Sequence, residues 1–317
     1  MISKCKKALL STSRKHGFFA DIMTHKYAYI LILPALILVT VFSYLPLTGI
    51  VLAFKDFNIV QGILGSPWVG LDNFKEIFMQ PNMLHAIKNT LIYGCTILFG
   101  FFPFPIILAL LFNEVRNIHF KKIVQTISYM PHFLSWISVI GLFSVFLAKE
   151  GPFNMIIGRL FGEAFGDVNL LMDPAYFLPI IFISHIWKSV GWSSVIFLAA
   201  IAGIDPTLYE AASVDGCGKL RQAWHITLPS IRGTALIVLI MSLGTLFNTN
   251  FEQVYGFQNV YTQEQTEVIN TLIYRQGIEN GKYSLATAFG LSQGLVSVTI
   301  LLAANAISKR LFEISIW

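Results

Sequence analysis

Six long apolar stretches, separated by short polar connections, run along the chain at 27–54, 86–112, 123–147, 177–202, 233–247 and 285–307. A helix needs roughly 20 mostly apolar residues to cross about 30 Å of hydrocarbon at about 1.5 Å per residue. The pattern therefore predicts an all-α, polytopic membrane protein with six transmembrane helices between 27 and 307. A leading segment, 1–26, precedes them and a short tail, 308–317, follows. The fifth stretch is the least sharply bounded, because it fades into Asn248, Thr249 and Asn250 instead of stopping at a charge. The first stretch is about twice the length of a secretory h-region and has no A-x-A-like site, so it is expected to be an uncleaved first helix.

Composition narrows the reading further. Of 317 residues, 55% are hydrophobic and 12% charged, against about 45–50% and about 25% in an average soluble domain. With a mean hydropathy of +0.66, the excess apolar surface must face lipid. An ordinary cytosolic enzyme is excluded, and the net charge of +5 is better assigned to inward-facing loops than to nucleic-acid binding.

Charge placement supplies the orientation. If the N-terminus is cytoplasmic, the inner segments 1–26, 113–122, 203–232 and 308–317 hold fourteen of the 22 Lys and Arg residues. Seven fall outside and Lys188 lies within the fourth stretch. Acidic residues split the other way, leaving the inner side at +8 and the outer at −4. Both termini are thus expected in the cytoplasm. Cys5 and Cys217 then lie in a reducing compartment and Cys95 in the membrane, so free thiols are expected.

The loop between the fourth and fifth stretches is the longest on the inner side. Asp205 is a good N-cap with Pro206 at the first helical position, and Leu208 to Val214 reads as a short alanine-rich helix ended by Gly216 and Gly218. A second amphipathic turn places Leu220, Trp224 and Leu228 on one face. A short inner-side helix presenting small side chains and one carboxylate suits insertion into a groove of another protein.

The run Glu210-Ala211-Ala212-Ser213-Val214-Asp215-Gly216, followed at Ile226-Thr227-Leu228-Pro229, resembles the EAA loop of permease subunits of binding-protein-dependent ABC importers. Glu210, Ala211, Ala212, Asp215, Gly216, Ile226, Leu228 and Pro229 fall on that pattern. Cys217 stands where alanine is usual, and Gly233 where a second proline often closes the motif. Other stretches resemble the carbohydrate permeases, in the polysaccharide and oligosaccharide branch related to maltose-transporter permeases. They are Tyr129 to Trp136, Asn250 to Tyr255, Glu267 to Thr271, Tyr283 to Ala288 and Leu311 to Trp317.

The resemblance implies a type I importer permease fold in a bacterial cytoplasmic membrane, with a coupling helix in the loop 203–232. It implies a second, homologous permease as partner, two copies of a cytoplasmic ATPase that bind ATP and Mg, and an extracytoplasmic solute-binding protein. Glu210 would be the charged contact to the ATPase, Ala211 and Ala212 the small residues that fit its groove, and Gly216 the turn. No G-x-x-x-x-G-K-[ST] loop occurs, since Gly218-Lys219 is followed by leucine and Gly281-Lys282 by tyrosine. Hydrolysis accordingly belongs to a partner, and no catalytic residue, metal or cofactor is assigned to this chain.

Two further groups carry two readings each. His185 and Lys188, with Trp192, either line a sugar pathway or serve packing, with Lys188 facing the partner permease or paired with a carbonyl. Asn248, Asn250, Glu252 and Gln253 either meet a hydroxyl-rich ligand or simply finish a polar helix end. Gly290 and Gly294 form a G-x-x-x-G expected to let helices approach. The rivals to a sugar permease are an importer permease for a peptide or amino acid, and a stand-alone secondary carrier. The carrier would need intramembrane carboxylates, which the six stretches lack.

Overall fold

The computed structural model describes residues 25–162 and 168–316; residues 1–24, with Cys5 and the basic residues of the leading segment other than His25 and Lys26, lie outside them. By internal contacts the chain divides into 1–52 and 53–317. In the first unit, helical backbone starts at Lys26 and continues without interruption as far as Phe54, in the second. Pro34 sits inside this helix, α1 (Lys26–Phe54), which passes through a π turn at Thr40–Tyr44 and tightens to 3₁₀ geometry over Leu45–Phe54.

Among the described residues of the second unit, only an isolated bridge between Lys55 and Trp68 has β character; the rest of its regular structure is helical. In chain order the principal helices are α2 (Asp72–Met79), α3 (Met83–Glu114), α4 (Ile118–Phe133), α5 (Trp136–Phe146), α6 (Pro152–Phe161) and α7 (Pro174–Ala202). They continue with α8 (Pro206–Val214), α9 (Lys219–Ser230), α10 (Arg232–Gly244), α11 (Phe251–Phe257), α12 (Ile269–Tyr274) and α13 (Tyr283–Phe312). Helices α1, α3, α7 and α13 are long and apolar enough to cross a membrane as single helices.

The third and fifth apolar stretches are not single helices of membrane length. The third is α4 and α5, bent by 102°, and the fifth is α10, which turns by 61° from α9, a helix of the loop 203–232. Proline explains the first break: Pro131 has no N–H to give to the preceding turn. The chain then runs extended through Leu134 and Ser135, whose hydroxyl accepts from Ser138 N at 3.2 Å to start α5. At the second, Pro229 lies just before Ile231, which leaves the helical region at φ −89°, ψ 2°. The helix continuing from that bend stops at Gly244, short of Phe247, and a turn leads to Asn250, whose side chain caps α11.

Close backbone approach falls on other glycines than the predicted pair. A Cβ on Gly191 of α7 would run into the Ser128 carbonyl of α4, and one on Gly94 of α3 into the Leu246 carbonyl. Gly290 and Gly294 have nothing within 4 Å of that position. The G-x-x-x-G is therefore not a packing motif within the described residues of this chain. Three apolar clusters stack through the unit, one around Phe289 and Leu285, one around Ile181 and Val254, and one around Phe197, Ala109 and Ile231.

Candidate functional site

Two places concentrate the predicted residues, the loop 203–232 and a cavity between α3, α7 and α10.

In the loop, α8 starts as the sequence expects. Asp205 Oδ1 accepts from Thr207 N at 3.0 Å, and that bond to the carboxylate holds the Asp205 carboxyl below the usual aspartate range. Pro206 follows at the first helical position, where a missing N–H costs nothing. The helix ends on a six-to-one hydrogen bond from Cys217 N to Ala212 O at 2.8 Å and a second from Gly216 N to Ser213 O at 3.1 Å. This closure needs a left-handed residue between them, and Gly216 supplies it at φ +73°. Gly218, in contrast, is extended at φ −70° and sits at the N-cap of α9, so it opens the second helix instead of ending the first. Glu210, Ala211, Asp215 and Pro229 are exposed, while Ala212, Ile226 and Leu228 are half-buried. Leu220, Trp224 and Leu228 share one face, together lining an apolar groove of about 640 Å³ against Ile107, Leu110 and Leu111 of α3. Cys217 is a free thiol, as is Cys95 on α3.

Sequence reasoning passed over the polar residues that hold α8 in place. Gln222, 3% exposed, donates to Ser213 Oγ at 2.9 Å and to Cys217 O at 3.0 Å. The Tyr209 hydroxyl meets Thr227 Oγ1 at 2.9 Å. One signal was available, since Tyr209 and Ser213 stand four apart on one face of a short helix.

The cavity measures about 580 Å³, and His185, Asn248 and Asn250 are among the residues that line it, with Tyr93, Phe101 and Thr245. His185 lies edge-on to Phe101, with centroids 4.7 Å apart, and roughly parallel to Trp136 at 6.4 Å. The structure does not bring the remaining candidates to this cavity. Lys188 is buried and donates to His132 O at 2.8 Å and to Leu134 O. These are two carbonyls released where α4 breaks from α5. Its ammonium also lies 5.3 Å from the Trp136 ring, and Trp192 stacks flat on His132 at 4.9 Å. Gln253 is fully buried, donating to Ile181 O at 2.8 Å and Ser184 Oγ at 3.0 Å while accepting from Tyr93 at 3.0 Å. Glu252 is exposed. Asn250 caps α11, and Asn248 Oδ1 accepts from Asn270 Nδ2 at 3.1 Å.

On this geometry the comparisons with known proteins converge. The polygalacturonan/rhamnogalacturonan transport system permease protein YteP of Bacillus subtilis is 42% identical, over 98% of this chain and 96% of its own length. Protein LplB of the same organism is 40% identical, over 95% and 94%. Among solved structures, the bacterial ABC transporter involved in the import of the acidic polysaccharide alginate superposes with a TM-score of 0.83 at 37% identity. It covers 93% of this chain and 99% of the matched one. The bacterial alginate ABC transporter in complex with alginate pentasaccharide-bound periplasmic protein gives a TM-score of 0.84 at 36% identity, covering 94% and 99%. Residues 101–313 match the family described as binding-protein-dependent transport system inner membrane component. That match takes in α7, α8, α9 and α10 entire, so the chain belongs to this family of transport permeases and is not an enzyme.

Proposed function

We propose that this chain is one permease subunit of an ATP-driven importer of polysaccharide-derived oligosaccharides, and that α8 is its coupling helix. The observation that carries the reading is the loop 203–232. There a capped, glycine-closed helix presents Glu210 and Ala211 outward, in a chain whose full-length relatives are named as polysaccharide transport permeases. In this reading the six apolar stretches span the membrane, the third as the bent pair α4 and α5 and the fifth as α10 with the turn that follows it, and the Lys and Arg bias keeps both termini and α8 on the cytoplasmic side.

The division of labour follows from the chemistry present. A short helix with small side chains seats in a groove of the ATPase, Glu210 makes the charged contact, and Ala211 and Ala212 allow close approach. Asp215 and Gly216 turn the chain, and Ile226, Leu228 and Pro229 fix the return into the membrane. ATP and Mg are held by two ATPase copies. A second, homologous permease completes the pathway, and a solute-binding protein delivers sugar from outside. The cavity beside His185, Asn248 and Asn250 is this chain's share of the pathway, where amide groups meet sugar hydroxyls and aromatic faces meet pyranose rings. Lys188 acts on the packing side, since its donors are already committed to His132 and Leu134.

The test is co-expression with the partner permease and ATPase. Glu210→Lys is expected to abolish both ATPase co-purification and uptake; a complex that survives with transport intact would overturn the coupling assignment. For the cargo, the cognate binding protein is expected to retain oligosaccharides in calorimetric titration, and tight binding of a peptide or amino acid alone would overturn the carbohydrate assignment.

A further inference from the structure

Helix α9 is not a regular α-helix. Over Ala223–Thr227 it widens into a π turn, with Leu228 N bonded to Ala223 O five residues back. In a regular α-helix, at 3.6 residues per turn, residues five apart point about 140° away from each other. The i to i+5 bonding of a π turn winds the backbone more slowly and brings such residues onto the same face. The pair this affects is Gln222 and Thr227, 3% and 2% exposed, while Trp224 and His225 between them face outward. Both buried side chains meet α8. Gln222 binds Ser213 Oγ and the Cys217 carbonyl, and Thr227 binds the Tyr209 hydroxyl. Tyr209 and Ser213 are themselves one turn apart on a single face of α8 and are linked, Ser213 Oγ donating to Tyr209 O at 2.7 Å.

We propose that Gln222 and Thr227, aligned by the π turn, are positioning residues that clamp α8 to α9 at two points, so that α8, α9 and the start of α10 move as one lever. The lever has a fulcrum and an output. Ile231, at the 61° bend, is buried beside Ala109 and Phe197. Beyond it, Val238, Met241 and Ser242 of α10 line the cavity. A push on the exposed face of α8 therefore has a packed route, through the clamp and the buried Ile231, to the cavity wall. A single contact would let α8 pivot; two contacts one helical turn apart remove that freedom.

This inference rests on α8 being the coupling helix. It is tested in membrane vesicles holding the complete transporter, with Ser242→Cys as reporter and Cys5, Cys95 and Cys217 replaced by serine. The rate of labelling by a membrane-impermeant maleimide is read with and without ATP and vanadate. With the clamp intact, trapping is expected to change the rate about tenfold, the usual scale of coupling between distant sites. Tyr209→Phe with Gln222→Leu is expected to reduce that change to less than about twofold while the ATPase still co-purifies. Thr227→Val is expected to behave like Tyr209→Phe, and Thr227→Ser, which keeps the hydroxyl, to retain the response.

The proposal is overturned by an undiminished response in the double variant, by no response with the clamp intact, or by loss of the ATPase together with the response. If Gln222→Leu does not accumulate, Tyr209→Phe, which removes one hydroxyl, decides by the same criteria. If Glu210→Lys leaves the ATPase bound and transport running, the coupling reading itself fails. If Glu210→Lys releases the ATPase but Tyr209→Phe changes nothing, only the clamp fails.

Discussion

In the loop 203–232 each side-chain contact that shapes α8 closes over eighteen residues or fewer: Thr207 to Asp205, Gln222 to Cys217 and Ser213, and Tyr209 to Thr227. Among the long helices the reach is longer. Lys188 goes back 56 residues to His132, Gln253 goes 72 to Ile181, and Ile269 N meets Thr90 Oγ1 across 179. Helix α8 is thus held by its own loop and free to present a face, while the loop meets α3 through Lys219 and Glu114, 3.5 Å apart, and through the apolar groove. The long helices are held by cross-ties between elements that are distant in the chain. Damage to the first should be local and felt in coupling, whereas damage to the second should be felt in the stability of the whole unit.

The largest expected effect breaks a cross-tie of packing. Gly191→Ala puts a methyl where the Ser128 carbonyl lies, forcing α7 away from α4 at a cost of about 3 kcal/mol, the upper range for overpacking. The chain is expected to accumulate poorly and to melt early in detergent. Normal accumulation and melting would mean that these helices are not held rigidly together, and the contrast between the two regions would weaken.

Next in size is Lys188→Met, which leaves the carbonyls of His132 and Leu134 without their donor. A buried acceptor left unsatisfied costs about 1–3 kcal/mol, so thermal stability should fall while the relative uptake of different saccharides stays unchanged. A shifted saccharide preference with unchanged melting would return Lys188 to the pathway. Asn248→Ala is the companion measurement, expected to raise the KM for uptake with little loss of stability.

The same division explains what could be read from residues alone. The Asp205 cap, Pro206, the left-handed Gly216 and the shared face of Leu220, Trp224 and Leu228 are legible because each depends on spacing within a turn or two. Four apolar stretches became single long helices for the same local reason. The 102° break was not legible as a break, because the apolar run continues straight through Pro131 to Ser135, and its stabilising Lys188 lies on another helix. The roles of Gln253 and Gly191 depend likewise on neighbours that only the tertiary fold supplies. The π turn escaped because apolar periodicity marks which residues share a face only once the helix type is known.

A smaller effect separates conformation from packing. Gly216→Ala meets no neighbour within 4 Å, so its cost is the left-handed backbone alone, about 1–2 kcal/mol for an L residue. The end of α8 should fray, seen as faster amide exchange at Cys217 and Gly216, with total accumulation and melting unchanged. Melting as early as in Gly191→Ala would show the end of α8 to be part of the unit's core.

The smallest effect lies at the other end of α8 and depends on pH. Asp205 accepts from Thr207 as a carboxylate, and its carboxyl is held below the ordinary aspartate range by that bond. A group whose ionisation is easier in the folded state contributes stability above its unfolded value and loses it as pH falls through the lowered folded value. The start of α8 should therefore open progressively as pH falls through that acidic window, read as faster amide exchange at Thr207. Asp205→Asn keeps an acceptor oxygen and a good N-cap but has no proton to gain, so its exchange should lose the extra pH dependence. Asp205→Ala should exchange faster at every pH. Because Asp205 is fully exposed and its bond spans two residues, none of these changes should reach the cavity. If labelling of Ser242→Cys in the unenergised transporter followed the same acid window, opening of the cap alone would move the cavity wall, and the bonds of Tyr209 and Ser213 would not be what links α8 to it.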